Sequence, residues 1–175
     1  MGLLDKWQRS SAPQMDSDLR ERMLATAPAR WPRGSWQWVY EEADSYDCFE
    51  NLVNAVRVGH DLHPLPTSDD LRYTAEVKAH GMFEHQQYRH EIDAWGGKLL
   101  PDFALDRVGH IGGISENIAH WAYPSTGFGT WLKLWMNSPG HRANILNPNH
   151  SIQGAAFESG VLHGDQSMMG VHHFA

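Results

Sequence analysis

The sequence predicts an α+β domain that follows a separate N-terminal stretch. Segments with the apolar spacing of helices occupy the middle of the chain, and two short segments rich in β-forming residues lie near its end. Residues 1–45 form a separate compositional zone that is rich in tryptophan. A chain of 175 residues can bury one hydrophobic core, so a single domain, residues 46–175, with an extension is the expected arrangement.

Two helices are predicted before residue 85. The first spans residues 46–60, where apolar side chains recur at the spacing of one helix face. The second begins at Thr67 or Ser68, whose hydroxyl groups can cap a helix, and runs to about His80. Gly81 is predicted to end it.

A third helix leads into a tightly specified turn. Trp131 and Trp135 belong to its apolar face, and the sequence Ser-Pro-Gly at 138–140 is predicted to stop it, since the residue before a proline avoids the α region. His141 and Arg142 follow at once. The turn is therefore predicted to aim an imidazole and a guanidinium beside buried indoles. The alternative interpretation is a packed turn whose histidine only caps backbone carbonyls.

Three segments are predicted as strands. They are residues 116–121, residues 152–157 and residues 168–174, the last two joined through residues 160–165. His172 and His173 alternate on the last strand, so one is expected to face the core and the other the solvent.

Composition excludes several classes of protein. The net charge of -7, without a run of Lys or Arg, argues against a non-specific nucleic-acid binder. The one cysteine, Cys48, rules out an internal disulfide. No apolar stretch is long enough to cross a membrane, and residues 1–15 lack the apolar core of a signal peptide. We therefore expect a cytoplasmic or particle-associated protein, such as a virion component, rather than one secreted by the Sec route.

Residues 1–45 form a Trp-rich arm with Trp7, Trp31, Trp36 and Trp38. Aromatic side chains are enriched at the centres of protein interfaces. Two interpretations stay open, because the arm can pack on its own domain or dock on another protein. We expect docking on a neighbouring chain, so that residues 1–45 provide the contact with a protein partner.

Three polar residues, His85, Glu116 and His141, stand near turn signals and between apolar neighbours. Two imidazoles and a carboxylate can bind Zn²⁺ and leave a position open for water. The same groups can act as an acid–base pair without a metal. Spacing does not decide between these interpretations, since the three residues lie far apart and form no metal-binding sequence motif.

Four sequence blocks carry a resemblance to a known family. They are Asn-Ala-Val-Arg at 54–57, Phe-Glu-His at 83–85, Ser-Glu-Asn-Ile-Ala at 115–119 and Trp-Met-Asn-Ser-Pro-Gly-His-Arg-Ala-Asn-Ile-Leu at 135–146. Together with Gly-Ala-Ala-Phe at 154–157, they resemble the CAP family (cysteine-rich secretory proteins, antigen 5 and pathogenesis-related proteins), in particular its disulfide-free bacterial branch. The resemblance covers about residues 50–175, and the run at 138–146 is its most specific part.

The resemblance implies a three-layer α-β-α sandwich with a small antiparallel sheet. It also implies an open cleft with His85, Glu116 and His141 as its catalytic residues, in which the two histidines can bind a divalent metal such as Zn²⁺. Trp121 and Arg142 are assigned to ligand binding at this cleft. Relatives are credited with lipid, peptide or glycan binding, and sometimes with proteolysis.

The chain departs from the family pattern at two positions. Ser115 stands where relatives usually have glycine, and Ser138 stands where animal and plant relatives carry an acidic residue. With only two imidazoles in view, we expect at most weak zinc binding. Two functions are consistent with this pattern. One is a ligand-binding or hydrolytic cleft, and the other is an assembly component, for example of a phage virion or tail, docked by its N-terminal arm.

Overall fold

A computed structural model of the chain describes residue 43, residues 48–121 and residues 127–175. Within these residues the helices are α1 (Phe49–Gly59), α2 (Asp69–Glu84), α3 (Asp102–Val108), α4 (Phe128–Met136) and α5 (Pro139–Ile145). The strands are β1 (Ser115–Trp121), β2 (Gln153–Leu162) and β3 (Asp165–Phe174). Apart from Ala43, the predicted arm lies outside the described residues. None of the described helices has both the length and the apolar character needed to cross a membrane.

The sheet is antiparallel, with β3 between β1 and β2. The hairpin from β2 to β3 turns at His163 and Gly164, which both have positive φ. In the sheet formed by the described residues, β1 is an edge strand. Its carbonyls at Glu116 and Ile118 accept hydrogen bonds from the side chains of Asn144 and Tyr88, each at 3.2 Å. These contacts occupy acceptors that an open sheet edge would otherwise present to another chain.

The two faces of the sheet are covered by two separate apolar clusters. The first cluster joins α1 and α4 to one face, which includes Ala119 and Phe174. The second joins α2 to the other face, which includes Ile118 and Val171. The predicted three-layer α-β-α sandwich is therefore confirmed.

Covering both faces also overturns one expectation about β3. His172 and His173 do alternate across the sheet, but both are fully buried. The prediction that one of them faces solvent is wrong, because each face of the central strand lies under a helical layer.

The second helix starts as predicted and ends later. The Ser68 hydroxyl caps α2 by accepting a hydrogen bond from the Leu71 amide at 3.3 Å. Gly81 does not end the helix, which continues to Glu84. A Cβ added to Gly81 would lie 2.1 Å from Cζ2 of Trp95. The glycine thus makes room for the Trp95 ring against an unbroken helix.

The turn after α4 is shorter than predicted. Pro139 is the first residue of α5, where its missing N–H leaves no helical hydrogen bond unmade and its fixed φ suits the helix. His141 and Arg142 consequently lie inside α5 rather than in a loop.

The far end of α5 is fixed by Arg57 of α1. Its Nη1 donates to the carbonyl oxygens of Ile145 at 2.7 Å and Asn147 at 3.0 Å. The side chain is fully buried, and burial lowers the pKa of Arg57 to about 10. Arg57 thereby ties α1 to the end of the helix that carries His141.

Candidate functional site

The site is centred on the carboxylate of Glu116, which lies on β1 and is 3% exposed. Each of its oxygens accepts a hydrogen bond from one imidazole. Nδ1 of His90 lies 2.7 Å from Oε1, and Nε2 of His173 lies 3.0 Å from Oε2. Both oxygens of this buried group are therefore satisfied, as a buried charge requires.

The sheet register brings Glu116 and His173 together. They are directly opposite each other in the β1–β3 ladder, so their side chains leave the sheet on the same face. α2 covers this face and contributes Thr74, whose Oγ1 lies 2.8 Å from Nδ1 of His173. A continuous chain of hydrogen bonds thus runs from Thr74 through His173 and Glu116 to His90.

The positions of the protons in this chain follow from the chemistry of the carboxylate. Carboxylate oxygens only accept, so Nε2 of His173 and Nδ1 of His90 both carry protons. When the His90 ring is neutral, Nε2 is therefore the nitrogen with the lone pair. The His90 side chain is 57% exposed, whereas the side chain of His173 is fully buried. His90 is the end of the chain that a molecule in solution can reach.

Lys78 of α2 positions the loop that carries His90. Its ammonium group donates to the carbonyl of His90 and, at 3.3 Å, to the carbonyl of Leu99. It also lies 3.9 Å from Oε1 of Glu116 and 5.5 Å from the centre of the Trp95 ring. Burial lowers the pKa of Lys78, while the charge of Glu116 acts in the opposite direction. The buried amine of Lys78 thus binds the loop to α2 at two positions, His90 and Leu99.

Opposing influences act on the pKa of Glu116. Burial is the largest and raises it, but hydrogen bonds from His173 and His90 and the charges of His173 and Lys78 leave the pKa below its ordinary value. The hydrogen bond to Glu116 raises the pKa of His90, although partial burial opposes this. The arrangement therefore favours an ionised Glu116 and a protonated His90.

His141 approaches the same strand from α5. Its carbonyl accepts a hydrogen bond from Nδ2 of Asn117 at 3.1 Å, and Nδ2 of Asn144 bridges Oδ1 of Asn117 and the carbonyl of Glu116. Burial and, secondarily, the positive charge of His90 lower the pKa of His141. Its Nδ1 is buried and has no hydrogen-bond partner among the described residues. The surroundings thus favour the neutral form of His141, whereas they favour the protonated form of His90.

His85 lies just past the last residue of α2. Its ring stands perpendicular to that of Trp95, with 5.9 Å between the ring centres, and its Nε2 lies 3.8 Å from the carboxylate of Glu84. Among the described residues, neither His85 nor His141 donates a hydrogen bond to the carboxylate of Glu116. The assignment of His85, Glu116 and His141 as one catalytic set stays a prediction.

A zinc site built by the protein needs three or four ligating side chains that converge on one point. Within residues 43, 48–121 and 127–175, no three His, Cys, Asp or Glu side chains converge in a way that could hold a metal ion. The arrangement therefore does not fit a site with three protein ligands. Weak binding by His85 and His141 stays a prediction.

The two residues assigned to ligand binding lie on different elements, β1 and α5. Trp121 is 40% exposed at the end of β1. Arg142 is exposed on α5, beside a hollow of about 360 Å³ that is also lined by Met136 and Pro139. Their roles in binding stay predictions.

Sequence reasoning did not select His90 or His173, although both hold Glu116. A signal for His173 exists in the sequence. Pairing the predicted strands at 116–121 and 168–174 in antiparallel fashion can place Glu116 opposite His173. His90 has no comparable signal, because it lies in an irregular loop whose path depends on Lys78.

Comparison with known proteins agrees with the fold and with the sequence blocks. The model of the family described as "CAP: Cysteine-rich secretory protein family" matches residues 50–165. An uncharacterized protein of Bacillus subtilis (strain 168), YkwD, is 32% identical over 114 residues, which are 63% of this chain and 42% of that protein.

Two solved structures share the fold. An extracellular protein containing an SCP domain from Bacillus anthracis str. Ames matches with a TM-score of 0.51 and 26% identity, over 70% of this chain and 38% of that one. An outer surface protein of Borrelia burgdorferi matches with a TM-score of 0.53 and 15% identity, over 94% and 98% of the two chains. This second match shows likeness of fold alone.

The chain spans less than half the length of the two Bacillus proteins. The residues matched by the family model, 50–165, include the four sequence blocks and Glu116. Since the family model covers well over half of its residues, this chain belongs to the CAP, or cysteine-rich secretory protein, family.

Proposed function

We propose that the cleft at Glu116 binds a ligand and performs acid–base chemistry of the hydrolytic kind, with His90 as the group that transfers the proton. One observation carries the proposal. The buried carboxylate of Glu116 is hydrogen-bonded through one oxygen to the exposed imidazole of His90 and through the other to the buried imidazole of His173. A carboxylate in this position fixes the tautomer of the exposed ring and stabilises its protonated form. Nε2 of the protonated His90 ring can then donate a proton to a bound molecule and later take one back.

His141 supplies the complementary imidazole. Its pKa is lowered, whereas that of His90 is raised. Titratable groups whose surroundings move their pKa values apart are suited to opposite roles, one as acid and one as base. The neutral form of His141 is also a candidate ligand for a divalent metal, but no step of the proposed chemistry depends on one.

Hydrolysis of 4-nitrophenyl acetate by the full chain tests the proposal. We expect His90→Gln to lower kcat/KM by about 100-fold, the range typical for loss of a general acid–base group. His80→Gln is the matched control, because His80 is also a half-exposed histidine hydrogen-bonded to a glutamate, Glu158 at 3.2 Å, but lies outside the cleft. Equal rates for the wild type and both variants would refute a proton-transfer role for His90.

A further inference from the structure

A second concave surface lies between α2, α3 and β2, and none of Glu116, His90, His141 and His173 lines it. It has a volume of about 710 Å³, within the usual range for binding pockets. Its apolar lining includes Val77, Trp95 and Phe103, and its carboxylates are those of Glu76, Glu84 and Glu158. We call this surface the α2–α3 groove.

Phe103 is the most exposed large apolar side chain that the described residues contain, at 59%. It stands on α3 at the side of the groove. Exposed aromatic side chains next to a concavity are typical anchors of protein contacts. An apolar side chain of a partner could pack between Phe103 and Trp95.

The polar residues of the groove favour a cationic partner. Glu84 has a side chain that is 61% exposed. Arg107 is already paired with Asp70 at 2.7 Å, and Glu158 is hydrogen-bonded to His80. Glu84 is the more exposed of these two glutamates. Complementary charge selects partners and speeds their association. The groove is therefore suited to a segment in which arginine or lysine lies close to an aromatic residue.

The chain itself contains such a segment at residues 22–40. It carries Arg22, Arg30 and Arg33, and it also carries Trp31, Trp36 and Trp38. Three of the 14 basic side chains and none of the 21 acidic ones lie in it. The remainder of the chain is consequently strongly acidic, and residues 22–40 are its complement in charge.

We propose that the α2–α3 groove binds residues 22–40 of a second copy of this chain. Ala43, shortly after this segment, packs into the cluster formed with α1 and α4, on the face of the sheet opposite α2. That placement favours the groove of a neighbouring copy over the segment's own groove. The α2–α3 groove would thus be the surface to which the arm binds, whether or not the Glu116 site is catalytic.

Sedimentation velocity of the full chain, between about 1 and 100 µM, tests this self-association in the range of moderate affinity. We expect the wild type to dimerise, and Phe103→Ser and Glu84→Arg each to raise the dissociation constant about tenfold or more. Both positions are exposed, so the fold should persist, which far-ultraviolet circular dichroism can verify. Asp165→Arg is the control, since it reverses a charge at an exposed residue outside the groove.

Exchanging the charges of a proposed pair, Glu84 and Arg33, tests whether these two side chains interact across the dimer. Combining Glu84→Arg with Arg33→Glu in one chain should restore much of the association that either change removes. A synthetic peptide of residues 22–40 in excess should dissociate the wild-type dimer. A wild type that stays monomeric over this range, or a dimer that neither groove variant weakens, would overturn the proposal.

Discussion

At the scale of single residues, the main feature is Glu116, whose ionised carboxylate is stabilised by the polar groups around it. Its carboxylate faces two imidazoles and one ammonium group, and only His90 among these is well exposed to solvent. Without the carboxylate, Lys78 and His173 would lose the group that compensates their burial. Removing one partner of a buried ionic group is far more destabilising than removing an exposed pair.

Replacing Glu116 by glutamine should therefore lower the free energy of unfolding by about 3 kcal/mol at neutral pH. Urea denaturation measures this directly. Glu158→Gln is the comparison, because it breaks a surface contact with His80 and should cost about 1 kcal/mol or less. Equally small losses for the two variants would show that the Glu116 network contributes little to folding.

The coupling between His90 and Glu116 should depend on pH. Folding lowers the pKa of Glu116 from 4.5, so its contribution is present above about 4.5 and is lost as the pH falls through the folded value. Folding raises the pKa of His90 from 6.5, so its contribution is complete below about 6.5 and is lost as the pH rises through the folded value. The coupling free energy should thus be largest between these two limits.

A double-mutant cycle with His90→Gln and Glu116→Gln, repeated across the pH range, measures this coupling. His173 and Lys78 also contact Glu116, but both remain in every protein of the cycle, so that their own contributions largely cancel. A coupling free energy that does not change from about pH 5.5 to pH 9 would contradict the assigned contact.

The sequence predicted only part of the site at this scale. Glu116 was identified because it lies in a recognisable block, and His141 for the same reason. His173 was missed because its contact with Glu116 depends on the register between β1 and β3, which was not known from the sequence. Its complete burial gave no further sign of a functional role. His90 was missed because its position depends on the buried amine of Lys78, a contact without sequence periodicity.

Among the elements, α2 is the one that completes the site. It contributes both Thr74 and Lys78, and it packs closely on β2 near Gly154. A Cβ at Gly154 would lie 2.3 Å from the backbone nitrogen of Arg72. Backbone atoms cannot move aside as a flexible side chain can, so this glycine sets how close the helix lies to the sheet.

Gly154→Ala should lower the free energy of unfolding by about 1–3 kcal/mol, the usual cost of overpacking. Gly140→Ala provides the control, because a Cβ there meets nothing within 4 Å and alanine favours the helix by up to about 1 kcal/mol. Thermal unfolding of the two variants measures the difference. If Gly154→Ala were as stable as the wild type, the close packing of α2 on β2 would not be a constraint.

Apolar spacing was sufficient to predict α1 and the three strands, although β2 and β3 are longer than expected. It was not sufficient for the ends of α2 and the extent of α5. Gly81 and Pro139 are common stop signals, yet each is compatible with a helix in its tertiary setting. Gly81 accommodates Trp95, and Pro139 takes the first position of α5.

Over the whole molecule, the described residues form two apolar clusters on the two faces of one sheet. Their members lie between residues 49 and 174, with Ala43 as the exception at 6% exposure. This packing explains why the fold could be anticipated from blocks that begin near residue 50. The boundary predicted at residue 45 falls between Ala43 and the rest of its cluster.

A truncated chain that begins at residue 41 should accordingly keep its fold, since it retains Ala43 and both clusters. We expect one cooperative thermal transition by circular dichroism and loss of the self-association proposed for the full chain. Loss of the cooperative transition would show that residues 1–40 belong to the core of the domain.

The account as a whole depends on His90 being the exposed imidazole that Glu116 holds. A pH titration of the histidine rings by NMR, in the wild type and in Glu116→Gln, tests this most directly. We expect the His90 ring to titrate above its ordinary pKa of 6.5 in the wild type, and its pKa to fall when the carboxylate is replaced. An unshifted His90 in the wild type, or a His90 pKa that Glu116→Gln leaves unchanged, would contradict the account.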